Sequence, residues 1–202
     1  MKHSRAALLL IDVINDLEFP GSAPLVRAAE RVAPRIERLA ARARAAGVPV
    51  IYVNDNFGRW RSDLRATVDE CTAEGKAGRG VGLRLRPHDG DYFVLKPKHS
   101  GFLFTPLELL LADLGVRNLV LTGFATDLCV LFTAHDAHMR GFELWVPSDA
   151  TAANSASLTR NALRHLRIAL QAHTPKASSI DFARIERRAP RPRRRTAART
   201  AR

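Results

Sequence analysis

The chain is poor in the residues that would frame it with disulfides, staple it with zinc or hold it in a membrane. Its 202 residues include two cysteines, two tryptophans, two tyrosines and two methionines. Cys71 lies among Asp69, Glu70, Thr72 and Glu74, whereas Cys129 lies in an apolar stretch. Cysteines in such unlike settings read as free thiols, not as a disulfide framework. No Cys/His spacing matches a zinc site. No run approaches the ~18 consecutive apolar residues of a membrane span. The apolar run ending at Ile11 is stopped by Asp12 short of the roughly 7–15 residues of a signal-peptide core, so a cytoplasmic protein is expected. No Gly-x-Gly-x-x-Gly follows that run, which argues against a dinucleotide-binding oxidoreductase.

Acidic residues are scarce at one end. From Arg184 onward nine arginines face one glutamate, which is eight of the net charge of +12 and leaves +4 for the first 183 residues. The remainder is ordinary: an apolar fraction of 46% suits one domain with a buried core. From about Ala183 the composition collapses into Arg, Ala, Pro and Thr, with Pro190 and Pro192 interrupting any helix. The expectation is one domain over residues 1–182 and a disordered Arg-rich tail over 183–202. Such a tail attracts nucleic acid weakly through phosphates. It lacks interleaved aromatics and a groove-reading fold, so nucleic acid is not an expected partner.

What is present is an alternation of strand-like and helix-like segments. Ala7 to Ile11 and Val48 to Val53 are apolar, the pattern of strands buried on both faces. Between them Pro24 to Ala46 has helical spacing, closed by Gly47. From Asn54 to Asp91 the pattern weakens into a glycine-rich loop with a helix around 63–73. Then come a strand at Tyr92 to Leu95, a helix opened by Thr105-Pro106, and a strand at Asn118 to Thr122. A helix at Thr126 to Arg140, a strand at Phe142 to Val146, a helix at Ser155 to Ala172 and a short strand near 175–178 complete the series. The alternation implies parallel βαβ units: a three-layer αβα sandwich with a mostly parallel, doubly wound central sheet. Ligand sites in such sheets gather outside the carboxyl ends of the strands.

Three residues fall at those ends. Asp12 follows the first strand, Lys96 ends the Tyr92–Leu95 strand, and Cys129 lies in the helical turn after Asn118–Thr122. Taken singly, they read as a turn residue, a solvated charge and a core thiol. Together they supply a base, a cation that lowers a thiol pKa, and a nucleophile at a helix start whose backbone N–H groups suit an oxyanion. The His135/His138 pair, three residues apart on one helix, suits a helix surface better than a shared metal ion. His99, close to Lys96, could line a pocket mouth, although a solvated loop histidine is the simpler reading. Phe19, Phe57, Trp60 and Phe102 lie in or beside the loops after strands and could wall a pocket, with Phe19 and Trp60 chosen as substrate-binding. Cys71 is read as structural.

Three segments, in order, resemble the isochorismatase-like cysteine hydrolases, a family that includes nicotinamidases and N-carbamoyl amidohydrolases. They are Leu-Leu-Leu-Ile-Asp12 with Asn15-Asp16, then Lys96-Pro-Lys-His-Ser100-Gly-Phe102 with Thr105 and Leu107, and then Thr122-Gly-Phe-Ala-Thr126-Asp-Leu-Cys129-Val130 with Thr133-Ala134 and Asp136-Ala137. The resemblance implies an Asp12–Lys96–Cys129 triad, Lys96 being preferred to Lys98. It implies a cis peptide at Phe124–Ala125 that would aim the Ala125 N–H, beside that of Cys129, at an oxyanion. Asp12 would deprotonate Cys129, protonate the departing amine and then activate water to release a thioester. It also implies a homo-oligomer.

Two features separate this chain from branches of that family. Where nicotinamidases carry an Asp-x-His metal motif, this chain reads Asn54-Asp55-Asn56-Phe57 without histidine. No metal and no other cofactor is therefore expected, and nicotinamide is not the expected substrate. Members that cleave the isochorismate vinyl ether lack the thiol present here. The expected activity is metal-independent hydrolysis of a small amide, ureido or carbamoyl compound. A non-catalytic binding or scaffold protein using the basic tail is the second reading.

Overall fold

The computed structural model describes residues 3–58 and 63–188. Strand β1 (Ala6–Ile11) is fully buried along its length, as six consecutive apolar residues require. It lies between β2 (Val50–Asp55) and β4 (Asn118–Phe124). The sheet order is β3-β2-β1-β4-β5, with β3 at Tyr92–Lys96 and β5 at Glu143–Trp145. A two-residue strand, β6 (Thr151–Ala152), pairs with the end of β4. Every one of these pairings is parallel. The order reverses between β1 and β4, so the switch point lies where Asp12 and the Cys129 segment leave the sheet.

Alternating side chains divide the core in two. Leu8 and Leu10 of β1 face helix α1 (Ala23–Ala45), α2 (Leu64–Cys71) and α3 (Arg79–Arg84). Leu9 and Ile11 face α4 (Leu107–Asp113), α5 (Leu131–Met139) and α6 (Ala156–Ala169). This is the expected three-layer αβα sandwich with a doubly wound sheet. Its helix boundaries follow local chemistry. Gly47 adopts φ +71° just beyond α1, and the Asp63 and Ser155 side chains cap α2 and α6.

Several details differ from the sequence expectations. Helix α3 forms inside the glycine-rich stretch, with Gly78 packed so closely on the loop after β1 that a Cβ there would sit 1.8 Å from the Asn15 carbonyl oxygen. The expected last strand is an isolated bridge between Trp145 and His173, followed by a single 3-10 turn at Ala177–Ser179. Past the compositional edge at 182, the chain forms α7 (Phe182–Glu186). Phe182 and Ile185 of α7 are buried, and the Glu186 carboxylate accepts hydrogen bonds from the Arg5 and Ala6 N–H groups. The domain therefore reaches several residues into the segment assigned to the tail. The rest of the Arg-rich tail lies outside the described residues.

Candidate active site

Strand ends deliver the three predicted residues to one place. Asp12 emerges from β1 with φ +51° and is almost wholly buried. Its Oδ1 accepts the Asp55 N–H at 2.7 Å, and its Oδ2 lies 2.9 Å from Lys96 Nζ. Lys96, the last residue of β3, is fully buried, and its ammonium also lies 3.3 Å from Asp55 Oδ2 and 3.5 Å from Cys129 Sγ. A fully buried ammonium requires charged partners, and the C-terminal edge of the sheet supplies two carboxylates. The sequence reading missed Asp55. It ends β2 by the same logic that singled out Asp12 and Lys96.

Cys129 sits on a turn held by threonines. Thr122 Oγ1 donates to the Leu9 carbonyl across β1–β4 at 2.9 Å. Thr151 Oγ1 donates to the Gly123 carbonyl at 2.8 Å, which leaves Thr126 Oγ1 to donate to Thr151 Oγ1 at 2.9 Å. The Phe124–Ala125 peptide is cis. Residues Thr126–Val130 then form a π-helical turn, not the start of a regular α-helix, with Val130 N donating to the Ala125 carbonyl at 3.2 Å. Gly123 has φ +109°, and a Cβ there would sit 2.0 Å from the Ile11 carbonyl oxygen. Only glycine permits β1 and β4 to approach this closely where Asp12 begins.

The electrostatics depart from expectation in one respect. Burial first, and the Asp12 charge second, push the Cys129 thiol up to about 12 against the opposing pull of Lys96. Burial also raises the Asp12 carboxyl above its ordinary value, although Lys96 and the hydrogen bond from the Cys129 thiol oppose it. Burial pulls Lys96 down, but Asp12, Cys129 and Asp55 more than offset this and raise it. Both shifts favour the protonated form of the Cys129 thiol and of the Asp12 carboxyl beside it.

The remaining candidates fall into different places. The loop after β3 folds back on α5: Ser100 Oγ donates to Asp136 Oδ2, and Gly101 N donates to Thr133 Oγ1 at 3.0 Å. That fold-back sets His99 Nδ1 3.9 Å from Cys129 Sγ, so His99 lies at the thiol although its side chain is exposed. Phe102 is core and not pocket wall, packed 5.9 Å from Phe142 beneath the Arg140 guanidinium. Phe19, in the loop after β1, is 41% exposed. Trp60 lies outside the described residues. His135 pairs with His165 at 2.9 Å between ring nitrogens, and among the described residues no cluster of three or more metal-ligating side chains occurs. Cys71 is buried in α2, and both cysteines are free thiols. Among the described residues no helix is long and apolar enough to cross a membrane.

Fold and site together define an α/β protein with a buried acid, a buried cation and a thiol at the switch point of its sheet. Residues 6–177 match the isochorismatase domain model. The chain is 41% identical over 155 residues to the uncharacterized isochorismatase family protein YaaI of Bacillus subtilis, covering 77% of this chain and 84% of that one. It is 33% identical over 162 residues to the ureidoacrylate amidohydrolase RutB of Methylorubrum extorquens, covering 70% of this chain and 65% of that protein. The structure of N-carbamoylsarcosine amidase from Thermoplasma acidophilum superposes with a TM-score of 0.69 at 28% identity, over 90% of this chain and 99% of the other. The chain belongs to the isochorismatase family and is a hydrolase of that family.

Proposed function

We propose that the protein is a cysteine amidohydrolase cleaving a small amide, ureido or carbamoyl substrate through a thioester on Cys129, with Asp12 and Lys96 completing the triad. The observation that carries this reading is the convergence of Asp12 and Cys129 on the Lys96 ammonium, at 2.9 Å and 3.5 Å. The named activities of its relatives, ureidoacrylate amidohydrolase and N-carbamoylsarcosine amidase, support the substrate class.

The chemistry follows from the geometry. Asp12 and Cys129 share the Lys96 ammonium, so as sulfur attacks the carbonyl carbon its proton passes to the Asp12 carboxylate. The fixed Lys96 ammonium balances the negative charge shared between Asp12 and sulfur. The Ala125 and Cys129 N–H groups are assigned to the developing oxyanion. Asp12 returns the proton to the departing nitrogen as the C–N bond breaks, and water then hydrolyses the thioester. Phe19 and Trp60 are assigned to the substrate pocket. Copies of the chain are proposed to associate, covering the exposed Phe132 and Met139 of α5; sedimentation of the full chain measures this.

The test is an ammonia-release screen over small amides and N-carbamoyl compounds, with Cys129→Ala as the blank. Cys129→Ala is expected to keep the fold and lose roughly 10⁴-fold or more in turnover. A folded Cys129→Ala protein that still turns over substrate sinks the mechanism.

A further inference from the structure

Asp12, Lys96 and Asp55 come from neighbouring strand ends, and they differ in exposure. The Asp12 and Lys96 side chains are shut in, at 6% and 0% exposed, whereas that of Asp55 is 29% exposed. Asp55 ends β2 directly beside Lys96 in the parallel register of β2 and β3. Its N–H donates to Asp12 Oδ1 at 2.7 Å, its own Oδ1 accepts the Phe57 N–H at 2.7 Å, and its Oδ2 lies 3.3 Å from Lys96 Nζ. The same ammonium lies 3.5 Å from Cys129 Sγ. Asp55 Oδ2 is therefore no farther from the sulfur than those last two distances laid end to end.

A substrate whose carbonyl carbon meets the sulfur thus brings its acyl side close to a partly exposed carboxylate. Across ~7 Å, in a partly buried setting, a full charge changes the binding of a second charge by roughly tenfold or more. A carboxylate on the acyl carbon is repelled by Asp55. An N–H group there meets an acceptor with room: an ionised carboxylate has about four lone-pair sites, and the Phe57 N–H and the Lys96 ammonium occupy two of them.

We propose that Asp55 is a specificity-determining residue, selecting carbamoyl and ureido compounds, whose acyl carbon carries an N–H group, over substrates whose acyl carbon carries a carboxylate. This rests on the Cys129 amidohydrolase proposed above and narrows its substrate class. In a carbamoyl compound the NH2 is bonded to the carbon that the sulfur attacks, so the donor travels with the reacting atom. A simple amide offers a hydrocarbon group there and gains nothing from Asp55. The contact of Lys96 with Asp12 at 2.9 Å does not run through the Asp55 side chain. Selection and proton transfer are then borne by different carboxylates.

Three anilides that share p-nitroaniline as leaving group test this: p-nitrophenylurea, p-nitroacetanilide and p-nitrooxanilate, whose acyl carbons carry NH2, CH3 and a carboxylate. Asp55→Asn in the full chain is expected to lower kcat/KM for the urea relative to the acetanilide by roughly tenfold, and to raise that for the oxanilate relative to the acetanilide by a similar factor. Asp55→Glu, which keeps the charge, should leave the order of the three unchanged. A residue that only held Lys96 in place would lower all three by one factor and leave their ratios alone. Calorimetry on Cys129→Ala and on Cys129→Ala/Asp55→Asn reads the same ratios as binding, without turnover. Ratios that stay within about twofold in both measurements overturn the assignment. Binding in the expected ratios, with p-nitroaniline released no faster by wild type than by Cys129→Ala, overturns instead the thioester on which it rests.

Discussion

Strand β3 carries an ion pair at each end, and only one of them borders a reactive group. Just before its first residue, Asp91 is held by Arg44 of α1 in a two-point contact, Nε to Oδ1 at 3.0 Å and Nη2 to Oδ2 at 2.6 Å. Asp91 also accepts the His88 N–H at 2.8 Å, and Arg44 Nη2 reaches the Tyr52 hydroxyl at 3.4 Å. At the other end Lys96 makes single-point contacts with Asp12, Asp55 and Cys129. Both carboxylates are buried, so burial does not distinguish them. The guanidinium fork satisfies its partner completely and leaves nothing to react. The ammonium is a point charge shared among three groups, one of which can give up its proton.

The sharpest way to break this contrast is to neutralise each acid in turn. Asp12→Asn is expected to lower kcat/KM by roughly 10²–10⁴-fold, the range for loss of a general base. Asp91→Asn should leave kcat/KM within about twofold and lower unfolding free energy in urea by about 1–3 kcal/mol, the cost of an impaired buried charge-assisted hydrogen bond. Equal effects of the two on turnover would erase the distinction.

A smaller effect tests the resting state of the sulfur. With the thiol pushed up to about 12, iodoacetamide at pH 8 should label Cys129 at least about tenfold more slowly than free cysteine. Asp12→Asn removes a charge that holds the thiol protonated. Labelling should then quicken several-fold while turnover falls, a divergence that a preformed thiolate would not give.

The mildest effect is on pH dependence. The proposed mechanism needs the Asp12 carboxylate, and burial raises its pKa over the ordinary ~3.9. The acid limb of kcat/KM should therefore lie above that value. Stability runs the other way. A raised carboxyl favours the protonated folded state, so its contribution is complete below the ordinary value and is lost as pH rises through the raised one. Urea titrations of wild type and Asp12→Asn across that window should converge toward low pH.

The sequence made some of this legible and concealed the rest for physical reasons. Asp12, Lys96 and Cys129 stand out because each breaks an apolar run at a strand end or sits just beyond one. Asp55 ends a strand too, but its segment drew notice for the histidines it lacks. Helix α3 was hidden because Arg79–Arg84 contains Gly80 and Gly82, whose low intrinsic propensity is overridden by burial of Val81 and of Gly82, the latter against Thr72. Composition cannot separate the π turn at Thr126–Val130 from the α-helix that follows it. The position of His99 depends on Ser100 and Gly101 finding Asp136 and Thr133, contacts more than thirty residues apart that no local pattern encodes.

The contact of Gly123 with Ile11 has a consequence for how such an enzyme can diversify. Gly123 immediately precedes the Phe124–Ala125 turn, and Ile11 immediately precedes Asp12, so the gap between Asp12 and the segment that carries Cys129 is gauged by two main chains touching. The three heavy atoms nearest a Cβ at Gly123 all belong to the Ile11 main chain. The loops can be exchanged, lengthened or recharged to admit a different carbonyl compound while the proton-transfer distance stays where it was. Selectivity and reactivity are then inherited through separate parts of the chain, one free to drift and the other fixed by a missing methyl group.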